Sequence, residues 1–270
     1  MNTTAASRHA QVDRRSGLST REFRKEYLYA GRPVVLTDLT EAWRARAVWT
    51  LDYFKSRYGN SSVPVYRLTG QRYRADDMEV MKLGAFIQQV QSNDFAAYPC
   101  YVRDDAQLFN THRELLADYK VPAYFFDWFK LVPSFMRLEY PTIFIGPKGA
   151  ITPLHHDVWN THSWLAQLVG RKRWILFSPE ERKFLYNYNV QPHNPDLEKF
   201  PLFRNSTPLE CIIGPGDLIF VPSGWAHEVI SLDATISITH NFMGPGCFRS
   251  AFTCSVREKL IDRVKQQFGQ

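Results

Sequence analysis

Eight short apolar runs follow one another in the second half of the chain, and this texture constrains the fold more than any other feature. They are Thr142–Ile145, Thr152–Val158, Trp164–Leu168, Arg173–Phe177, Leu209–Ile213, Leu218–Val221, His227–Ser231 and Thr235–Asn241. Turn signals separate many of them: Gly146-Pro147, Gly170, Ser178-Pro179, Gly214-Pro215-Gly216 and Ser223-Gly224. Each run is too short for a stable helix and has the length of a strand. Many short strands with turns between them predict a β-sandwich or barrel, of which the jelly roll is one solution.

The N-terminal half reads differently. Residues 1–16 are polar and basic without apolar period, and are expected to form a flexible arm. A helix is predicted from Leu18 to about Tyr29, with Ser19 as cap and Glu22 three residues on. A short strand follows at 32–36, a helix at Leu51–Tyr58, an alternating strand at Ser62–Leu68, a helix at Leu83–Val90 and a strand at Pro99–Arg103. Tyr124, Phe125, Phe126, Trp128 and Phe129 cluster; core packing is the favoured role, a cleft wall the other. A helix with Leu260, Ile261 and Val264 on one side closes the chain at about 250–268. No boundary between independent domains is visible. Residues 17–270 are expected to form one domain with its jelly-roll core at about 97–245.

The chemistry concentrates in Thr152-Pro153-Leu154-His155-His156-Asp157. Side chains alternate faces along a strand, so His155 and Asp157 share one and His156 points away. A third ligand can come from a distant strand. Seventy residues after Asp157, a turn, the apolar run Leu218–Val221 and a second turn lead to His227. Two histidines and one carboxylate leave coordination positions open, as oxygen-activating non-haem Fe(II) sites require, whereas structural zinc fills all four. A 2-oxo acid chelating such a metal needs its distal carboxylate held by a buried cation and a hydroxyl. Lys172 introduces the apolar strand 173–177, and Thr152 precedes His155 on its own run; both are candidates. Asp217, flanked by Gly216, reads as a turn residue. His162 and His240 read as structural or cleft-lining, His112 and His193 as surface. The long insert at 192–201 is either a cleft cover or a plain surface loop.

Taken together, His155-x-Asp157, the block from Trp164 to Trp174, Phe177-Ser178-Pro179, the block from Gly216-Asp217 to His227, and Thr239-His240-Asn241-Phe242 resemble the JmjC-domain oxygenases. The likeness is greatest to their small hydroxylase branch, which includes the JmjC lysyl hydroxylases. It covers about residues 140–245, and Gly31–Leu36 with Trp43 and Trp49 extends it. The resemblance implies a mainly β protein: a double-stranded β-helix (jelly-roll, cupin-like) core with a helical N-terminal region and a C-terminal helix. It implies Fe(II) on His155, Asp157 and His227, with 2-oxoglutarate held by Lys172 and Thr152 and O2 as co-substrate. Asn241 matches an asparagine near the co-substrate, and Tyr101 matches a tyrosine at the same site. Some relatives carry an asparagine where this chain has Ser163, so a hydroxyl is expected to replace that contact.

The expected activity is therefore hydroxylation of a protein or peptide side chain, with lysyl hydroxylation favoured by the resemblance. N-methyl-lysine demethylation, hydroxylation of a small molecule or free amino acid, and a catalytically silent cupin-like binding protein are the alternatives. The net charge of +6 is scattered and interleaved with acids, so nucleic acid is not the expected partner. The four cysteines form no C-x-x-C pair and are expected to be buried free thiols in a reducing compartment. With no apolar leader or long apolar run, an intracellular, soluble protein without membrane contact is expected.

Overall fold

The computed structural model describes residues 10–67, 78–93, 95, 99–138 and 141–268. The strands are β1 (Ala10–Gln11), β2 (Asp13–Arg15), β3 (Val34–Leu36), β4 (Ser62–Arg67), β5 (Met78–Lys82), β6 (Cys100–Asp105), β7 (Thr142–Gly146) and β8 (Ile151–His155). They continue with β9 (His162–Val169), β10 (Lys172–Phe177), β11 (Leu209–Ile213), β12 (Leu218–Val221), β13 (Ala226–Ser231) and β14 (Thr235–Phe242). They form two sheets, a five-stranded one in the order β1-β11-β10-β13-β8 and a nine-stranded one in the order β2-β3-β12-β9-β14-β7-β6-β4-β5. The expected mainly β, jelly-roll architecture is what is seen.

The apolar runs are continuous rather than alternating because most of these strands are buried on both faces. Along β12, Ile219 and Val221 face the small sheet, where they meet Trp174, Leu176, Ile213 and Val229. Leu218 and Phe220 turn the other way, into a larger core with Phe23, Trp43, Trp49, Phe54, Phe86 and Phe109. That second core lies under the helical layer: α1 (Thr20–Phe23), α2 (Arg44–Val48), α3 (Leu51–Tyr58), α4 (Leu83–Ser92) and α5 (Gln107–Thr111). Ser19 and Glu22 form the expected capping box, and α1 continues as a wider π-helical turn to Leu28. On the outer face of the small sheet, Ile175 and Phe177 pack against Leu185, Val190, Phe200 and Phe203. The 192–201 insert is thus anchored by its own Leu197 and Phe200, as irregular turns between the 3-10 segments Tyr186–Tyr188 and Pro201–Asn205. The last helix, α6, runs Phe248–Phe268.

Residues 10–15 depart from the flexible-arm expectation. β1 pairs with β11 and β2 with β3, both in parallel, so this stretch closes an edge of each sheet. Their side chains are largely exposed and polar, apart from buried Val12, so backbone pairing supplies the order and no apolar period announces it. Arg14 adds an ion pair to Asp217 at 2.7 Å. Residues 1–9 of the expected arm, and Leu68 at the end of the strand expected at 62–68, lie outside the described residues. The sheets also extend further N-terminal than residue 97, through β2 to β5.

The aromatic cluster is core. Phe125 stacks on Trp164 and Phe220, with ring centroids 5.8 and 6.0 Å apart, and leans on Phe242. Tyr124 stacks on Phe23 at 5.0 Å. Phe126 is the exception, half exposed. Among the cysteines, all are free thiols; Cys100, Cys211 and Cys247 are buried and Cys254 is exposed. No helix among the described residues is long and apolar enough to cross a membrane.

Candidate metal centre

β8 and β13 are antiparallel neighbours, and their register sets His227 directly opposite His155. The two imidazoles lie 4.3 Å apart by ring centroid. β8 ends at His155, two residues before Asp157. Asp157 therefore does not reach the site by strand alternation alone; it is carried by extended backbone (φ −63°, ψ 150°) leading into a 3-10 turn. One ligand atom from each of His155, Asp157 and His227 lies within 4.8 Å of the others. His156 stays out of this group and tilts against Tyr188.

The donors are chemically ready for a divalent metal. Nδ1 of His155 is 2.7 Å from the Pro153 carbonyl, and Nδ1 of His227 is 3.3 Å from the Trp225 carbonyl. Each Nδ1 thus donates to a carbonyl two residues earlier, which leaves Nε2 as the lone-pair nitrogen. Burial pushes the His155 imidazole down to about 4, helped by the neighbouring His227, and burial likewise lowers His227. Both rings are neutral and able to coordinate at neutral pH. Asp157 is gripped on both oxygens: Ser163 Oγ donates to Oδ2 at 2.7 Å and Asn241 Nδ2 to Oδ1 at 2.9 Å. Asn241 also donates to Thr161 Oγ1 at 3.0 Å.

The three groups border a cleft of about 570 Å³. Its wall includes Tyr101, Phe144, Thr152, Leu165, Lys172, Trp174 and Val229. Lys172 enters because the β9–β10 turn is tight at Gly170 (φ +68°), where a Cβ would meet the Ala234 carbonyl oxygen at 2.1 Å. The turn starts β10 with Lys172, Trp174 and Leu176 on the inward face. Lys172 is 5% exposed, and its Nζ donates to Ser237 Oγ at 2.8 Å. Burial pushes its amine down to about 7. Tyr101, Thr152 and Lys172 also line a water-sized recess with Ser231 and Thr235. Lys172 pairs with Ser231, four residues along β13 from His227, a backbone separation of roughly 13 Å.

Each residue expected to hold metal or co-substrate lines this cleft: His155, Asp157, His227, Thr152, Lys172, Tyr101, Ser163 and Asn241. Ser163 and Asn241 are distinguished by touching the carboxylate ligand. Residues 124–129, considered as a cleft wall, are not among the lining residues, and residues N-terminal to 141 contribute only Tyr101 and Arg103 among the described residues. The sequence reading missed Trp174, although two-residue alternation from Lys172 puts it on the same face. It also missed Arg103 and Tyr188, which carry no sequence signal of their own. His162 and His240 prove structural: His162 bonds Ser223 N and the Pro245 carbonyl, and His240 stacks on Trp164. His193 is half-buried, with Nδ1 2.9 Å from Glu228 Oε1, rather than a surface residue. Asp217 caps its own turn by accepting from Gly214 N.

Residues 20–245 match the family model of a cupin-like domain. Among curated proteins, an arginine-specific demethylase of Arabidopsis thaliana, JMJ20, is 32% identical over 264 residues, spanning 86% of this chain and 57% of that protein. The 2-oxoglutarate and iron-dependent oxygenase JMJD4 of Danio rerio is 32% identical over 249 residues, 84% of this chain and 58% of the relative. The bifunctional arginine demethylase and lysyl-hydroxylase psr-1 of Caenorhabditis briggsae is 30% identical over 246 residues, 83% and 59% respectively. The chain thus spans less than two thirds of the length of these relatives.

Proposed function

Since the chain belongs to the cupin-like domain family, in its JmjC form, we propose that it is an Fe(II)- and 2-oxoglutarate-dependent dioxygenase that hydroxylates a side chain of a protein or peptide. One observation carries this reading. A His-Asp-His group, with His227 buried and His155 and Asp157 half-buried, presents neutral imidazoles to the same cleft as a buried lysine that has no carboxylate partner among the described residues. The donor set fits Fe(II): two nitrogens and one carboxylate oxygen, with no fourth His, Cys or acid joining them among the described residues. With Fe(II) and 2-oxoglutarate bound, the site would let O2 act as a four-electron oxidant: one oxygen atom goes to the 2-oxo acid as it loses CO2 and becomes succinate, and the other to the target C–H bond.

The protein's own part is binding, orientation and exclusion of water. His155, Asp157 and His227 hold the metal. Ser163 and Asn241 fix the Asp157 carboxylate, so its orientation does not have to be found at each turnover. Lys172 pairs with the distal carboxylate of 2-oxoglutarate, and Thr152 and Tyr101 add hydroxyls at the same end of the cleft. That ion pair forms in a desolvated place, where it is worth more than at a surface. Phe144, Leu165 and Val229 line the space between with apolar surface. The open side of the cleft, beside Arg103, His156 and Tyr188, admits the target side chain.

The printed names of the relatives support protein residues as targets: psr-1 is named for arginine demethylation and lysyl hydroxylation, and JMJ20 for arginine demethylation. Lysyl hydroxylation is the reading we carry forward. Demethylation is the second reading, since it is the same oxidation on an N-methyl carbon followed by loss of formaldehyde. The test is 2-oxoglutarate turnover with Fe(II) and ascorbate, stimulated by protein fractions and lysine peptides against free amino acids. Stimulation by peptide with one added oxygen on lysine supports the reading. Strong coupling to a free amino acid, with no stimulation by any peptide, overturns it in favour of a small-molecule hydroxylase.

A further inference from the structure

Four buried side-chain polar atoms among the described residues have no hydrogen-bond partner: Asp104 Oδ2, Trp164 Nε1, Gln167 Oε1 and Trp174 Nε1. Such groups are rare and costly, and each one asks what satisfies it. Of the four residues, only Trp174 lines the cleft. Its ring is 3% exposed and stacks on His227, with centroids 5.2 Å apart and planes at 30°. It also borders the inter-sheet core through Leu176, Cys211 and Val229. The ring is thus held firmly while its single donor is left without an acceptor.

Its place on β10 narrows what that acceptor is. Trp174 is two residues from Lys172, on the same inward face, and the strand register puts it opposite Val229, two residues from His227. It therefore lies between the cation and the metal ligands, along the path a 2-oxo acid must take if one end meets Lys172 and the other the metal. An indole N–H donates and cannot accept, so its complement is an oxygen lone pair. The other lining residues along that path, Phe144, Leu165 and Val229, offer no side-chain oxygen.

We infer that Trp174 is a co-substrate-binding residue: its indole N–H donates a hydrogen bond to an oxygen of the bound 2-oxo acid, while its ring keeps His227 in position. This rests on the oxygenase reading above and adds to it a donor for the ligand midway along the cleft. The unpaired N–H then belongs to the ligand-free protein and is satisfied on binding.

The experiment is calorimetric titration of the full chain with Mn(II) and then with 2-oxoglutarate, for wild type and Trp174→Phe. Phenylalanine keeps an aromatic ring against His227 and removes the donor. Trp174→Phe is expected to hold Mn(II) within about two-fold of wild type while binding 2-oxoglutarate about ten-fold more weakly, the loss of one hydrogen bond to a charged acceptor. Equal 2-oxoglutarate affinity in the two proteins overturns the inference and leaves the oxygenase reading standing. Absence of 2-oxoglutarate binding by wild type overturns both. Should Trp174→Phe not fold, wild-type protein carrying Zn(II) and nitrogen-labelled tryptophan decides the matter. One of the seven indole N–H resonances is expected to move downfield and exchange more slowly when 2-oxoglutarate is added. No indole resonance doing so overturns the inference.

Discussion

Replacing Lys172 by methionine is expected to move stability and co-substrate affinity in opposite directions. Lys172 is 5% exposed, and its amine is held at about 7 by burial rather than at its ordinary 10.5. An ammonium so displaced costs the ligand-free folded state about 4 kcal/mol at pH 7. Methionine has a similar volume and no charge to desolvate. Ser237 Oγ loses its donor, a cost of about 1 kcal/mol. The net gain at pH 7 is therefore about 3 kcal/mol, a rise in Tm on the order of 5–10 °C for a chain of this size. The sign with pH follows from proton counting. Between about 7 and 10.5 the unfolded chain holds a proton on this lysine that the folded chain has released, so wild-type stability rises with pH across that window. The advantage of Lys172→Met accordingly shrinks to about 1 kcal/mol at pH 9. Losing the charge-assisted pair weakens 2-oxoglutarate by about 2–5 kcal/mol, roughly 30-fold or more. The assay is thermal and urea unfolding of metal-free protein at pH 7 and pH 9, with calorimetric titration of 2-oxoglutarate into the Mn(II) form. A variant less stable than wild type at pH 7, or one that binds 2-oxoglutarate equally well, refutes the reasoning.

Three other outcomes follow from the same geometry. His227→Ala, lacking one of three ligands, should fail to retain stoichiometric metal after desalting, measured by elemental analysis; retention of one equivalent would remove His227 from the site. Asn241→Ala frees one Asp157 oxygen and should weaken Mn(II) by about 10-fold, as loss of a carboxylate-orienting partner does, read by competition with a metal indicator. Phe125→Ala leaves a hole among Phe23, Trp164, Phe220 and Phe242 and should cost about 3–5 kcal/mol in urea unfolding. Near-wild-type metal binding below its melting range would accompany that loss, because the cluster is core and not cleft.

Much of this architecture is legible in the chain, for reasons that differ by element. The two-sided burial of β9, β10 and β12 leaves apolar runs that no solvated segment would carry. Ser19 and Glu22 announce α1 because the cap needs those side chains at that spacing. The ligands were found by strand parity, which holds for His155 and for its partner His227. It reaches Asp157 only because extended backbone continues past the end of β8. What escaped has physical causes. β1 and β2 are ordered by backbone pairing with sheet edges, which leaves no side-chain pattern. The 3-10 turns between Pro179 and Asn205 have no period to detect. Ser163 and Asn241 meet at Asp157 because β9 and β14 are neighbours, with Asn241 registered on Ser163, a fact of topology that spacing does not encode. Trp174 was visible by alternation from Lys172, but an indole without a partner is apparent only once the packing is known.

The most direct test of the central claim follows the oxygen atoms. Purified protein with Fe(II), ascorbate and 2-oxoglutarate is exposed to isotopically heavy O2, and succinate is analysed by mass spectrometry, alongside His155→Ala. The account predicts that wild type produces succinate carrying one heavy oxygen atom, and that His155→Ala produces no more than a metal-only blank. Succinate formed without heavy oxygen, or formed equally by His155→Ala, would contradict it.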